Sequence, residues 1–155
     1  MSFRALQHLN TSEKVMLAAF GVFSFVYPFA IFLLSFDLMP FGMEWMSSLL
    51  LAMLGLTAGA WLWVNFGTRG AAIGVAIFAA GLGLEYTGVI TGLPFGTYTY
   101  TGVLVPQLPS NVPLAIGFAW LLIVVSGLFT ARWSLRSAPT WVTCIAGALL
   151  AVGLD

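Results

Sequence analysis

Residues 71–92 read AAIGVAIFAAGLGLEYTGVITG, and the only charge among those 22 positions is Glu85. A helix rising ~1.5 Å per residue needs about 20 apolar residues to cross the ~30 Å hydrocarbon core of a bilayer. Four more apolar stretches surround this one. Val15–Phe36 and Trp45–Phe66 carry no charge over 22 residues each, and neither Val112–Ala131 nor Pro139–Leu154 carries any before the chain reaches Asp155. The composition agrees: 61% of the 155 residues are hydrophobic and 6% are charged, against about 25% charged in a soluble domain. Water cannot be kept from so much apolar surface in a soluble fold of this size. An ordinary soluble enzyme, a nucleic-acid-binding protein and a disordered chain are therefore excluded. The expected fold class is all-α, a single polytopic transmembrane helix bundle over residues 1–155 with about five spans. The spans are expected near 15–36, 45–66, 71–92, 112–131 and 139–155. The fifth is about a turn short of a crossing, so the bundle is expected to be incomplete at its C-terminus.

The basic residues orient this bundle. Arg4 and Lys14 precede the first segment, Arg69 lies between the second and third, and Arg132 and Arg136 lie between the fourth and fifth. The intervening loops, Asp37–Glu44 and Leu93–Asn111, contain no basic residue. The positive-inside rule then puts the N-terminus in the cytoplasm. The expected location is the cytoplasmic membrane of a prokaryote. A cleaved signal peptide does not fit, because Val15–Phe36 is too long and ends without a small-residue cleavage site. The lone Cys144 excludes an intramolecular disulfide, and His8 stands by itself. No Cys/His cluster has metal-ligand spacing and no glycine loop is suited to phosphates, so the sequence offers neither a metal nor a nucleotide site.

Within the decisive stretch the glycines are patterned. Gly74, Gly81 and Gly88 recur every seven residues, and Glu85 lies on the same stripe. Small-residue stripes let helix backbones approach closely in lipid. Glu85 is thus expected to face a neighbouring helix and not acyl chains. A carboxylate within the membrane is costly and by default marks function; the plain alternative is a hydrogen-bonded residue that fixes helix register. In the fifth segment Cys144, Ala148, Ala151 and Asp155 share one face. The helical rise puts Glu85, Trp120 and Asp155 in roughly one layer, in the outer half of the membrane. Asp155 reads equally as a solvated end, and Trp120 equally as a core residue.

The next loop carries the strongest local signal. It runs Leu93-Pro94-Phe95-Gly96-Thr97-Tyr98-Thr99-Tyr100-Thr101-Gly102 and continues to Asn111, with no charge. Leu-Pro-Phe-Gly suits a tight turn. An extended backbone over residues 97–101 puts Tyr98 and Tyr100 on one face. Irregular backbone at membrane depth needs protein or a watery cavity over it, so this apolar, Pro/Tyr-rich loop is expected to fold back over the bundle. That would set two phenols above the layer holding Glu85 and Trp120. The plain alternative is an aromatic belt.

Taken together, Glu85-Tyr86-Thr87-Gly88, Thr91-Gly92-Leu93-Pro94-Phe95-Gly96, Tyr98-Thr99-Tyr100-Thr101, Val112-Pro113 and Ala119-Trp120 resemble the membrane-integral carotenoid biosynthesis family that includes carotenoid 1,2-hydratases. The motifs cover Glu85 to Trp120. Asp155 resembles an Asp that the family carries near the end of a later helix. The resemblance implies a hydratase, a lyase that adds water to a terminal C=C bond of a linear carotenoid end, with no cofactor or metal. It implies Glu85 as the acid that protonates the alkene, and Asp155, or a carboxylate in a further C-terminal part, as the group that orients water. Tyr98, Tyr100, Trp120 and Phe95 would bind the substrate, and the faces of the first three would stabilise the cation. Gly88, Gly92, Pro94 and Gly96 would shape the motif. The partners implied are a carotenoid or other polyisoprenoid in the bilayer and membrane lipid, with no nucleic acid. Self-association as a homo-oligomer stays open, because the Gly55/Gly59 pair serves packing within the chain equally well. A second function class is a non-enzymatic membrane subunit or part of a proton-coupled transporter, with Glu85 as proton relay.

Overall fold

The computed structural model describes residues 10–36, 38, 42, 43, 45–93, 96–102 and 104–154. Four helices follow in order: α1 (Thr11–Ser35), α2 (Trp45–Thr91), α3 (Ala115–Ser134) and α4 (Thr140–Leu154), with a short 3-10 turn at Pro109–Asn111 before α3. No strand is present among the described residues. Three of the helices are long and apolar enough to cross a membrane: α1 over Glu13–Leu33, α2 and α3. The protein is an all-α membrane protein.

The expected count of five separate spans is not confirmed. The segments expected as second and third fall within α2, which has 47 residues and is interrupted at Gly67. A straight helix of that length would run ~70 Å, over twice the hydrocarbon core. The chain does not run straight. Gly67 has φ 59° and ψ −141°, a conformation that side chains with a Cβ resist. Beyond it, Gly70 packs on the backbone carbonyl of Leu62, and Gly74 faces the end of the Leu62 side chain. Residues eight apart in a straight helix are ~12 Å apart, so residues 68–91 fold back against residues 45–66. These two arms share α3. Gly55 and Gly59 of the first arm face Phe118 and Leu121, and Gly74 and Gly81 of the second face Leu121 and Trp120. The Gly55/Gly59 pair is used within the chain. The core between them is Ala58, Leu62, Leu121 and Val125.

Helix α4 packs on α3 where Gly127 meets Gly147. Helix α1 is the most exposed, burying Phe23 and Ala30 while Phe25, Phe29 and Phe32 face outward. It begins four residues earlier than the apolar pattern indicates. Asn10 Oδ1 accepts from the Glu13 backbone N–H, and a Glu13 carboxylate oxygen accepts from the Asn10 N–H, both at 2.8 Å. This reciprocal cap satisfies two otherwise orphaned donors.

Helix α3 starts at Ala115 and not at Val112. Leu108 N–H donates to Val112 O, and Leu114 N–H donates to Pro106 O. These bonds hold Val112 and Pro113 in the loop, where both are almost wholly buried. Pro113 also biases Val112 away from helical geometry.

Candidate functional site

Glu85 lies on the second arm of α2 and is 4% exposed. Its carboxyl group meets three donors. Trp120 Nε1–H donates to Oε1 at 2.9 Å. The hydroxyls of Tyr98 and Tyr100 both donate to Oε2, each at 2.6 Å. The Tyr98 hydroxyl also lies 3.5 Å from the backbone carbonyl oxygen of Glu85. The two phenol rings meet edge to face, centroids 5.6 Å apart and planes at 84°. Among the described residues no buried side-chain polar atom lacks a hydrogen-bond partner.

The glycine stripe makes this arrangement fit. A Cβ at Gly81 would come within 2.5 Å of Trp120 Cβ and Cγ, and a Cβ at Gly88 would come within 2.6 Å of the Tyr98 hydroxyl. Gly81 therefore admits the indole one turn before Glu85, and Gly88 admits the phenol one turn after. On α3, Gly117 lies under the ring of Phe78, which stacks edge to face on Phe118 at 4.8 Å.

The loop reaches Glu85 because α2 ends sharply. Gly92 has φ +73°, and its N–H donates to Gly88 O at 2.8 Å. A left-handed glycine just past the helix turns the chain while satisfying a terminal carbonyl. Residues 96–102 then return over the helix end, with Tyr98 and Tyr100 directed at one oxygen. Further on, Val105 N–H donates to Ser48 Oγ at 2.9 Å, which ties the loop to the start of α2. Nothing in the sequence singled out Ser48, which follows Ser47 early in an apolar helix; its burial is seen only in the structure.

The structure thus brings together four of the residues singled out from the sequence: Glu85, Tyr98, Tyr100 and Trp120. It adds a contact for three of them. The aromatic residues, expected to offer ring faces to a substrate, also turn their polar atoms onto the carboxyl group. Gly88 and Gly92 have the contacts just given, and Gly96 has φ +90°. Asp155, Phe95 and Pro94 lie outside the described residues. Tyr86, next to Glu85 in the motif, is 44% exposed and faces away from the cluster. An apolar groove of about 720 Å³ runs between α1 and both arms of α2, and its lining stops at Phe78 and Phe118, short of Glu85.

Compared with known protein families, residues 43–155 match the family described as carotenoid biosynthesis protein. The chain belongs to that family. The match takes in both arms of α2, α3 and α4, with the whole Glu85 cluster, and leaves out α1. Neither the curated proteins nor the solved structures gave a match. Family membership gives a role in carotenoid biosynthesis, carried out by a membrane protein.

Proposed function

We propose that this chain adds water across a terminal C=C bond of a linear carotenoid end, with Glu85 as the acid. The observation that carries this reading is one buried carboxyl group held by three donors, among residues that match the carotenoid biosynthesis family. In the first step the O–H bond of Glu85 breaks and its proton forms a C–H bond at the less substituted alkene carbon, using the π pair. A tertiary cation and a Glu85 carboxylate result. The two phenols and the indole then face the carboxyl oxygens as these become negative. Donors already in position where charge develops need no reorganisation at that moment. The oxygen of water next bonds to the cation, and the resulting oxonium loses a proton to a base. Asp155 is the proposed base, by resemblance to the family's motif. The base then returns that proton to Glu85 by way of water, so each turnover consumes one water with no change of redox state.

A phenol or indole hydrogen bond lies near the ring plane, so the ring faces not covered by the Tyr98–Tyr100 contact or by Gly81 are proposed to meet the substrate. Cation–π attraction there is worth up to ~2 kcal/mol in a dry site. Phe95 is proposed to join those rings. A carotenoid is a long apolar polyene dissolved in the bilayer, and the reading places the N-terminus in the cytoplasm with Glu85 in the outer half of the membrane.

The test is pigment extraction from a host that makes linear carotenoids. The wild-type chain should yield a more polar, hydroxylated pigment. Glu85→Gln, at equal abundance in the membrane, should lower the yield by about 10²–10⁴-fold, the usual contribution of a general acid. Undiminished hydroxylated product from Glu85→Gln overturns the reading. Proton-dependent uptake with no change of pigment would overturn it too, in favour of a relay role for Glu85.

A further inference from the structure

The buried residues of α2 are glycine, alanine and leucine at all but two positions, Ser48 and Glu85. Ser48 stands on the first arm and Glu85 on the second, and both present an oxygen to the same loop. Hydroxyls within a membrane helix commonly bond a carbonyl one turn back. Thr57, Thr87 and Thr91 do so, donating to Met53 O, Gly83 O and Thr87 O. Ser48 Oγ accepts from outside the helix, from the Val105 N–H 57 residues away, at 2.9 Å. A backbone donor at a membrane helix loses much when its acceptor goes, because hydrocarbon offers no replacement.

The place of Val105 in the chain gives this bond its reach. The three donors to Glu85 lie on either side of it, Tyr98 and Tyr100 before and Trp120 after. After Val105, the bonds from Leu114 N–H to Pro106 O and from Leu108 N–H to Val112 O close residues 106–114 into one unit that leads into α3. Gln107 Nε2–H donates to Thr101 O at 3.3 Å, which links the residue next to Tyr100 to that unit. Trp120 is placed by helix packing, because α3 meets Gly55 through Phe118 and Gly81 through Trp120 itself. The phenols stand on irregular backbone, so their place depends on where the loop is tied. Before them the Gly96 N–H donates to Gly92 O at 2.7 Å. Beyond them the tie to a helix is Ser48.

We propose that Ser48 is a positioning residue for the Glu85 site: by holding Val105 it fixes the loop where the Tyr98 and Tyr100 hydroxyls meet Oε2. The first arm of α2 thereby sets the donors that serve an acid on the second arm. This deepens the reading of Glu85 as an acid and rests on it for any effect on pigment. The placing of the phenols is measured without a carotenoid.

The experiment is solid-state NMR on the purified full chain in lipid vesicles, labelled with ¹⁵N and with ¹³C at the tyrosine ring carbon that bears the hydroxyl. Tyr98→Phe and Tyr100→Phe assign the two phenol resonances. In Ser48→Ala the Val105 amide should lose its hydrogen bond and both phenol resonances should shift, while the Trp120 indole ¹⁵N–¹H resonance holds. Ser48→Thr keeps a hydroxyl and should return the phenols to their original positions. A Val105 amide unaffected by Ser48→Ala, or one released while the phenols stay put, overturns the proposal. An indole resonance that moves as far as the phenols overturns it as well, since Ser48 would then act on the whole bundle. Should Ser48→Ala fail to fold, Ser48→Cys decides the point, because sulfur accepts only weakly. The same shifts are expected there, smaller, and their absence overturns the proposal. In the pigment assay, Ser48→Ala at equal abundance should lower conversion by about tenfold, the scale of one hydrogen bond, and Ser48→Thr should restore it. Displaced phenols with full conversion overturn a role for Ser48 in the reaction. Phenols that shift as expected, in a chain whose unaltered form yields no hydroxylated pigment, leave Ser48 as their positioning residue and remove the hydratase reading.

Discussion

The two ends of the α2 hairpin use the same kind of sequence for opposite purposes. Toward Gly67, glycines at 59, 70 and 74 let aliphatic side chains and backbone close into a dry core around Leu62 and Leu121. Toward Gly92, glycines at 81 and 88 admit Trp120 and Tyr98, whose polar atoms converge on Glu85. Removing a Cβ makes room at both ends. What fills the room differs: dispersion contacts at one end, hydrogen bonds at the other. In lipid this matters, because helices gain little from leaving a solvent as apolar as themselves. The apolar end holds the arms together, and the polar end holds the Glu85 carboxyl group in one orientation.

That contrast breaks most severely at Gly81. Gly81→Ala puts a methyl group 2.5 Å from Trp120 Cβ, close to the α3 backbone. The helices have to part, so thermal unfolding in detergent should show a loss of roughly 1–3 kcal/mol, as for other overpacked cores. Pigment conversion should fall with it. At the opposite end, Leu121→Ala removes packing against both arms. It should cost about 2 kcal/mol, the low end for such truncations, because lipid and not water surrounds the helices. Conversion per folded molecule should hold; a selective loss of conversion would show that the two ends are not independent.

Gly88→Ala sharpens the comparison. Its methyl group meets only the far end of Tyr98, at 2.6 Å, so the phenol can swing aside while the helices stay in place. Stability should change by less than ~1 kcal/mol, with a loss of about tenfold in conversion, equal to ~1.4 kcal/mol on the barrier. Gly83→Ala is the matched control, since a Cβ there meets nothing within 4 Å. Its effect should stay within about ±0.5 kcal/mol and leave the pigment unchanged. An equal loss in both variants would show that α2 responds to the added methyl group itself and not to Tyr98.

Much of the site was legible in the sequence. A carboxylate on a glycine stripe was expected to face protein, and a chargeless loop with two tyrosines on one face was expected to fold back over the bundle, with an aromatic belt as the alternative. Counting helical rise put Glu85 and Trp120 in one layer, and they meet at 2.9 Å. The polar use of the aromatic residues was not legible, because spacing places a ring without saying which edge it presents. The Asn10/Glu13 cap was readable from its spacing, whereas the start of α3 was not. A continuous apolar run hides the point at which Val112 and Pro113 bond back to the loop.

The sequence by itself determined that this is a helical membrane protein, that a single acid lies within its apolar stretches, and that glycines surround that acid. Those properties follow from composition and from the 3.6-residue period, which are local. Only the tertiary structure decided that the reversal between residues 66 and 71 is made at Gly67 with the helix continuing on both sides of it, and that loop residues and an α3 residue reach different oxygens of the same carboxyl group. Both depend on which side chains find room at a close helix contact. That is a property of facing surfaces, and no single stretch of chain contains it.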